Sequence, residues 1–215
     1  LAQREIDFIA EDARAPVESD AEDCVILYTS GTTGWPKGAV STHASVILQN
    51  VEHHVAAWGI GEDDRFLATT PLAHRAGIAR LVNALGLGGT LVIMEKFDAQ
   101  EALALIEREC ITVAGLPPTV IRMMLPAIRA EPARCRSLRR VIVSTEAFPA
   151  QLVREASALL PHAEFYGVYG MSEAAVSSAS LREQLERPGT VGRPLPGVEV
   201  RIAADGELQV RGRHA

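Results

Sequence analysis

Cysteine is scarce and poorly spaced in these 215 residues: Cys24, Cys110 and Cys135 are odd in number, far apart and without any C-x-x-C pair. That pattern speaks against a disulfide framework or a cysteine-based metal site. The three read as reduced thiols of a cytoplasmic protein, a compartment where disulfides rarely persist. A dense Lys/Arg stretch is also missing. With 21 basic against 27 acidic residues the net charge is −6, so there is no electrostatic footprint for nucleic acid. Long apolar runs are absent too: the longest, such as Thr90 to Met94, are strand-sized and too short for a transmembrane segment. The N-terminus, Leu1 to Glu5, has neither the charge order nor the apolar core of a signal peptide. The chain starts at Leu1 rather than Met and stops at Ala215 just after a strand-like segment, which reads as a cut. No internal repeat or low-complexity tract occurs. His53 and His54 are adjacent rather than four apart, so they cannot both face one metal from a helix and read as a solvated or partly packed pair.

What is present suits a buried core. Apolar residues make up 47% of the chain, enough for one sizeable domain or one and a fraction. From Cys24 onward, short β-rich runs alternate with helical patterns, the signature of βαβ units and a mostly parallel sheet flanked by helices. Cys24 to Tyr28 is expected as a buried strand, followed by a helix from about His43 to Trp58 that Thr42 caps and that buries Ile47, Val51, Val55 and Trp58. Strands are expected over Arg65 to Thr69, Thr90 to Met94, Thr112 to Ala114, Val141 to Val143 and Glu164 to Tyr169. Helices fall between them: Gly77 to Leu87, a capped one starting at Asp98 and ending near Cys110, Pro117 to Leu125, and Pro149 to about Leu160. Arg134, Arg136, Arg139 and Arg140 read as a solvated basic turn. After Ser180, glycine and proline punctuate the chain, and an antiparallel β hairpin follows with its turn at Asp205-Gly206. The division is therefore a polar lead-in over 1–23, an α/β core over 24–180, and a hairpin belonging to an incomplete β subdomain over 181–215.

The strongest chemical signal is Tyr28-Thr29-Ser30-Gly31-Thr32-Thr33-Gly34-Trp35-Pro36-Lys37-Gly38. It supplies three glycines, four Ser/Thr hydroxyls and one cation in succession, directly after a strand. A polyphosphate needs that combination of close backbone N–H approach, hydroxyl donors and positive charge. The Gly-Lys-Ser/Thr of a Walker A loop is absent. The stretch instead resembles the phosphate loop of the adenylate-forming (AMP-binding) superfamily, whose acyl- and aryl-CoA synthetases activate carboxylic acids, and it fills every specified position of that loop. Far downstream, Tyr169-Gly170-Met171-Ser172-Glu173 is similar to the family's Tyr-Gly-x-Thr-Glu, with Ser for Thr. The resemblance implies that Thr29, Ser30, Gly31, Thr32, Thr33, Gly34 and Lys37 hold the phosphates of ATP. It further implies that Tyr169 and Gly170 flank adenine, Ser172 bonds the α-phosphate and Glu173 holds Mg²⁺, with Lys37, Ser172 and Glu173 as the catalytic set.

Two further segments carry the resemblance. Pro71-Leu72-Ala73-His74-Arg75-Ala76-Gly77 is similar to the Pro-x-Phe-His-x-x-Gly of CoA ligases, which implies that His74 lines the entrance for the acid; Ala73 departs from the usual aromatic. Amino-acid-activating relatives place an Asp near here, and none occurs between Thr69 and Gly77, so the implied substrate lacks an α-amine. Val143-Ser144-Thr145-Glu146-Ala147 falls where the family runs a Gly-Gly turn beside adenine, implying that Glu146 and Ala147 flank the nucleotide and that Ser144 and Thr145 narrow the wall.

The implied reaction joins a fatty or aromatic carboxylate to AMP and then to CoA, with ATP and Mg²⁺ required. Positioning and charge neutralisation dominate such chemistry. The family's ribose-binding Asp, hinge and lid Lys are expected beyond Ala215. This piece is thus expected to be inactive alone, and its bared apolar surface to favour self-association. A non-catalytic nucleotide-binding module and an adenylation domain of a multi-module synthetase are the alternatives.

Overall fold

A computed structural model gives the fold over residues 22–29 and 37–213. In chain order it begins with β1 (Asp23–Thr29) and β2 (Lys37–Thr42), followed by α1 (His43–Ile47), a π-helical turn over Leu48–Glu52, and α2 (His53–Trp58). Alternating units follow: β3 (Arg65–Ala68), α3 (Arg75–Leu87), β4 (Thr90–Ile93), α4 (Ala99–Arg108), β5 (Val113–Gly115) and α5 (Pro118–Ala130). Next come β6 (Arg140–Val143), α6 (Ala150–Leu159) and β7 (Glu164–Gly170). The chain closes through β8 (Ala175–Ala179), α7 (Leu181–Glu186), β9 (Arg193–Pro194), β10 (Glu199–Ile202) and β11 (Leu208–Arg211).

Seven strands form one sheet in the order β4-β3-β5-β6-β7-β8-β9. The first five are parallel, and β8 and β9 run antiparallel along one side. Alternation along the strands builds two cores. Leu67, Ala114, Val141, Val143 and Phe165 face α4, α5 and α6 in the larger one, while Phe66, Val113 and Ile142 join Trp58 and Ala84 in the smaller. Because β3 leads outward to β4 through α3, and the chain then crosses back to β5 on the other side of β3, the strand order reverses between β3 and β5. That reversal opens a crevice at the carboxyl ends of those strands.

Asp64, at the foot of β3, ties three strands together. Its carboxylate accepts from Thr112 Oγ1 (2.6 Å), Gly61 N (2.9 Å) and Arg139 Nη2 (2.8 Å), with Arg140 Nη1 at 3.7 Å. Burial alone would raise its pKa; the bonds from Thr112, Gly61 and Arg139 outweigh this and hold it below the usual carboxylate value. Arg140 is therefore a part-buried structural partner rather than part of a solvated turn, while Arg139 bonds Asp64 from a side chain that stays 54% exposed.

Three other expectations change. β1 is a strand but not a buried one: only Leu27 is buried, because β1 pairs solely with β2 in a ribbon outside the main sheet. The helix over 43–58 begins at Thr42, whose hydroxyl accepts from Ser45 N at 3.1 Å, and Trp58 is buried as expected, yet the rest of the expected apolar face is not fully buried. Ile47 and Val55 are exposed, whereas Ser45, Gln49, Asn50, His53 and His54 are buried, so the histidines are not a solvated pair. The π turn inserts an extra residue per turn and rotates the later positions about the axis. Finally, α5 runs past Leu125 through Pro126, since Leu125, Ala127 and Ile128 pack into the core around the lost backbone bond. The hairpin of β10 and β11 forms as expected, and Val198 and Val210 pack with Ala175 and Leu195. Among the described residues, no helix is long and apolar enough to cross a membrane.

Candidate active site

A cavity of about 250 Å³ opens at the carboxyl ends of the parallel strands. Thr69 and Thr70 leave β3, Gly115 leaves β5, Ser144 and Thr145 leave β6, and Gly170, Met171 and Ser172 leave β7 to form its walls. It sits at the reversal of strand order, where open α/β sheets bind ligands.

One wall is set by the turn before α3. Gly77 packs against the backbone of Pro71 and Leu72 so closely that a Cβ there would lie 2.2 Å from the Pro71 oxygen. His74 N donates to that same oxygen at 2.9 Å, and His74 Nδ1 accepts from Ala76 N at 3.3 Å, making His74 the N-cap of α3 and a lining residue. The spacing from Pro71 to Gly77 thus has a steric cause.

The opposite wall is polar and buried. Asn83 Nδ2 donates to the Asn50 carbonyl and to His54 Nδ1 (3.0 Å), which leaves the proton of a neutral His54 on Nε2. His54 stacks on Trp58 with ring centroids 3.9 Å apart, and the Arg80 guanidinium lies 5.5 Å from the Trp58 ring centre. Burial, then the charges of Arg80 and Arg75, hold His54 well below the ordinary imidazole value against the raising bond from Asn83. Burial pushes Arg80 down to about 10, still a cation at neutral pH. Gln49 Oε1 accepts from Arg75 Nη2 (2.6 Å) and from Ala175 N (2.9 Å), joining the start of α3 to β8. Arg75 is likewise lowered by burial, with the charge of Glu173 acting to raise it.

Of the residues singled out in the sequence, His74, Gly170 and Ser172 meet around this cavity, with Ser144 and Thr145 beside them. Tyr169, 39% exposed, and the exposed Glu173 flank Gly170 and Ser172 without lining it. Glu146 and Ala147 are exposed, and the Glu146 carboxylate accepts from Thr119 Oγ1 at 2.8 and 3.0 Å. Thr145 holds a φ of 73°, a left-handed conformation costly for a β-branched residue. Thr29 and Lys37 are register partners in the ribbon of β1 and β2 and do not line the cavity. Ser30, Gly31, Thr32, Thr33 and Gly34 lie outside the described residues.

Sequence reasoning missed Asn50, His54, Arg75 and Arg80. A signal existed: between Ala76 and Leu87, Arg80 and Asn83 are the sole polar side chains, spaced i, i+3 on one face of an otherwise apolar helix.

Among the described residues, no three His, Cys, Asp or Glu side chains gather to hold a metal by themselves. A single carboxylate at Glu173 next to the Ser172 hydroxyl suits Mg²⁺, which binds through one or two carboxylates together with substrate phosphates.

The family model for "AMP-binding enzyme" matches residues 2–214. A 2-succinylbenzoate–CoA ligase, chloroplastic/peroxisomal, of Arabidopsis thaliana is 31% identical over 88% of this chain and 38% of its own. An indoleacetate–CoA ligase of Aromatoleum aromaticum is 32% identical over 93% of this chain and 41% of its own. The solved O-succinylbenzoate coenzyme A synthetase of Bacillus subtilis, in complex with ATP and magnesium ion, superposes with a TM-score of 0.77 at 28% identity, over 88% of this chain and 41% of that one. The chain therefore spans about two fifths of the length of these relatives. A family match over nearly every residue, on a sheet of the same architecture, establishes that this chain belongs to the AMP-binding enzyme family.

Proposed function

We propose that the chain forms the acid-binding and part of the nucleotide-binding region of an ATP-dependent, AMP-forming carboxylate–CoA ligase. The observation that carries this reading is the meeting of His74, Gly170 and Ser172, from separate motifs, around one cavity at the switch point of the sheet. The carboxylate to be activated enters past His74, and its oxygen attacks the α-phosphate of ATP, releasing pyrophosphate. CoA thiolate then displaces AMP from the acyl-adenylate. Ser172 donates a hydrogen bond to the α-phosphate, Tyr169 and Gly170 flank adenine, and Glu146 and Ala147 border the nucleotide. Thr29 and the segment from Ser30 to Gly34, with Lys37, cradle the outer phosphates. Mg²⁺ held by Glu173 would neutralise phosphate charge, a contribution of the electrostatic kind that dominates phosphoryl chemistry.

The relatives act on acids as different as succinylbenzoate and indoleacetate, so their names do not single out one substrate. Because the chain spans two fifths of their length, binding without turnover is the behaviour proposed for it alone. The test is pyrophosphate release by the full-length gene product with ATP, Mg²⁺, CoA and a panel of carboxylates. Acid-dependent release that falls on Lys37→Ala and Ser172→Ala supports the reading. Tight ATP binding with no release for any acid would instead point to a non-catalytic nucleotide-binding module.

A further inference from the structure

Arg80 is hard to explain as a structural residue. It is 4% exposed, its Nε and Nη1 are buried with no hydrogen-bond partner, and it lines the cavity from α3. Among the described residues, no acidic side chain lines the cavity with it; the charged and ionisable groups there are Arg75, Arg80, His54 and His74. Among the described residues no carboxylate answers its charge, and the Trp58 ring, 5.5 Å from the guanidinium, offsets only part of the cost of burial. A buried cation with unmet N–H donors costs several kcal/mol unless an anion or hydrogen-bond acceptor answers it. Gly115, whose added Cβ would sit 3.6 Å from Arg80 Cδ, and the ring of Trp58 give its stem and face an apolar bed that fixes where the guanidinium points. Next to it, the bond from Asn83 fixes His54 as a donor through Nε2.

We propose that Arg80 is a specificity-determining residue that receives a second carboxylate, so that the acid this protein takes is a compact dicarboxylic acid. The inference rests on the ligase reading for the fate of the first carboxylate, but the anion site itself does not. With one carboxylate presented to the nucleotide, the other fills the arginine-lined end, and His54 donates to it from the side. A long aliphatic tail directed to the same place would leave the guanidinium desolvated and unanswered. Such a cost discriminates against neutral tails more strongly than any extra methylene could discriminate in favour of them.

The experiment uses the full-length gene product, straight-chain diacids from malonate to adipate, and their monomethyl esters, which are one methyl group larger than the diacids and lack one charge. Affinities are read by calorimetry, with AMP titrated in parallel. The expected result is a diacid that binds about 30-fold or more tightly than its monoester. That preference should vanish in Arg80→Met and survive in part in Arg80→Lys. Circular dichroism reports whether the variants fold, and the wild-type comparison of diacid with ester stands without them. If AMP binds while diacids and esters bind alike, or no diacid binds, water alone answers Arg80 and the proposal is overturned, with the ligase reading intact. If diacids bind through Arg80 and neither AMP nor ATP binds, the anion site stands and the ligase reading falls. If neither nucleotide nor acid binds, both fall.

Discussion

Two residues at the site carry costs that mutation can measure. Thr145 occupies a left-handed conformation that glycine adopts freely, and its side chain also narrows the cavity. Thr145→Gly is expected to stabilise the chain by about 1 kcal/mol, read as a raised urea midpoint, because relief of strain exceeds the entropy that glycine adds to the unfolded state. His54 is held neutral in the folded chain, whereas the unfolded chain takes up a proton below its ordinary value of 6.5. The depressed value makes its contribution to stability complete above that pH and progressively lost as pH falls toward the folded value. Urea titrations from about pH 8 to 5 should show wild type losing its advantage over His54→Gln as the pH drops. A gap that stays constant would mean His54 is not buried neutral.

At the scale of elements, the turn before α3 is held by contact rather than by sequence propensity. Gly77→Ala would drive a methyl group into the backbone of Pro71. The expected cost is about 2–3 kcal/mol, with displaced NMR resonances for His74, because overpacking must be relieved by backbone movement. Here the limits of reading from sequence are plain. The spacing of Asp98, Leu103 and Ile106 revealed α4, and the alternation around Val200 and Val210 revealed the hairpin, since in both the hydrophobic period matches the element. The helix over 43–58 misled in part, because a π turn breaks the period and because Ser45, Gln49, Asn50, His53 and His54 make its buried face largely polar. Burial of Gln49, Asn50 and His54 depends on partners that arrive from α3 and β8, and no local pattern records such partners. Arg80 illustrates the same limit: its isolation among apolar neighbours was visible, but its position in the cavity depends on how α3 packs.

For the molecule as a whole, Asp64 acts as a clamp at the end of the sheet away from the cavity. It binds the loop before β3, the start of β5 through Thr112 and the start of β6 through Arg139. Asp64→Ala should cost about 2–4 kcal/mol in a urea melt, since it strands the Thr112 hydroxyl and the Gly61 N–H and removes the charge facing Arg139 and Arg140. Because Asp64 lies at the amino ends of the strands, acid and nucleotide affinities should change far less than stability. A parallel loss of ligand binding in the still-folded variant would contradict that separation of roles. The layered α/β architecture was legible from the alternation of β-rich runs with helical patterns, and the family from two motifs, the loop from Tyr28 to Gly38 and the Tyr169 to Glu173 turn, taken together.

One amide oxygen, that of Gln49, grips both Arg75, the neighbour of His74, and the backbone of Ala175, just beyond Ser172 and Glu173. A group that settles against Ser172 thus lies beside the same clip that steadies the turn carrying His74. By the reciprocity of linked equilibria, any effect of occupancy on one side returns with the same factor on the other. On the proposed reading, acid and nucleotide would then be cooperative guests, with a single side chain as the hinge of their mutual influence.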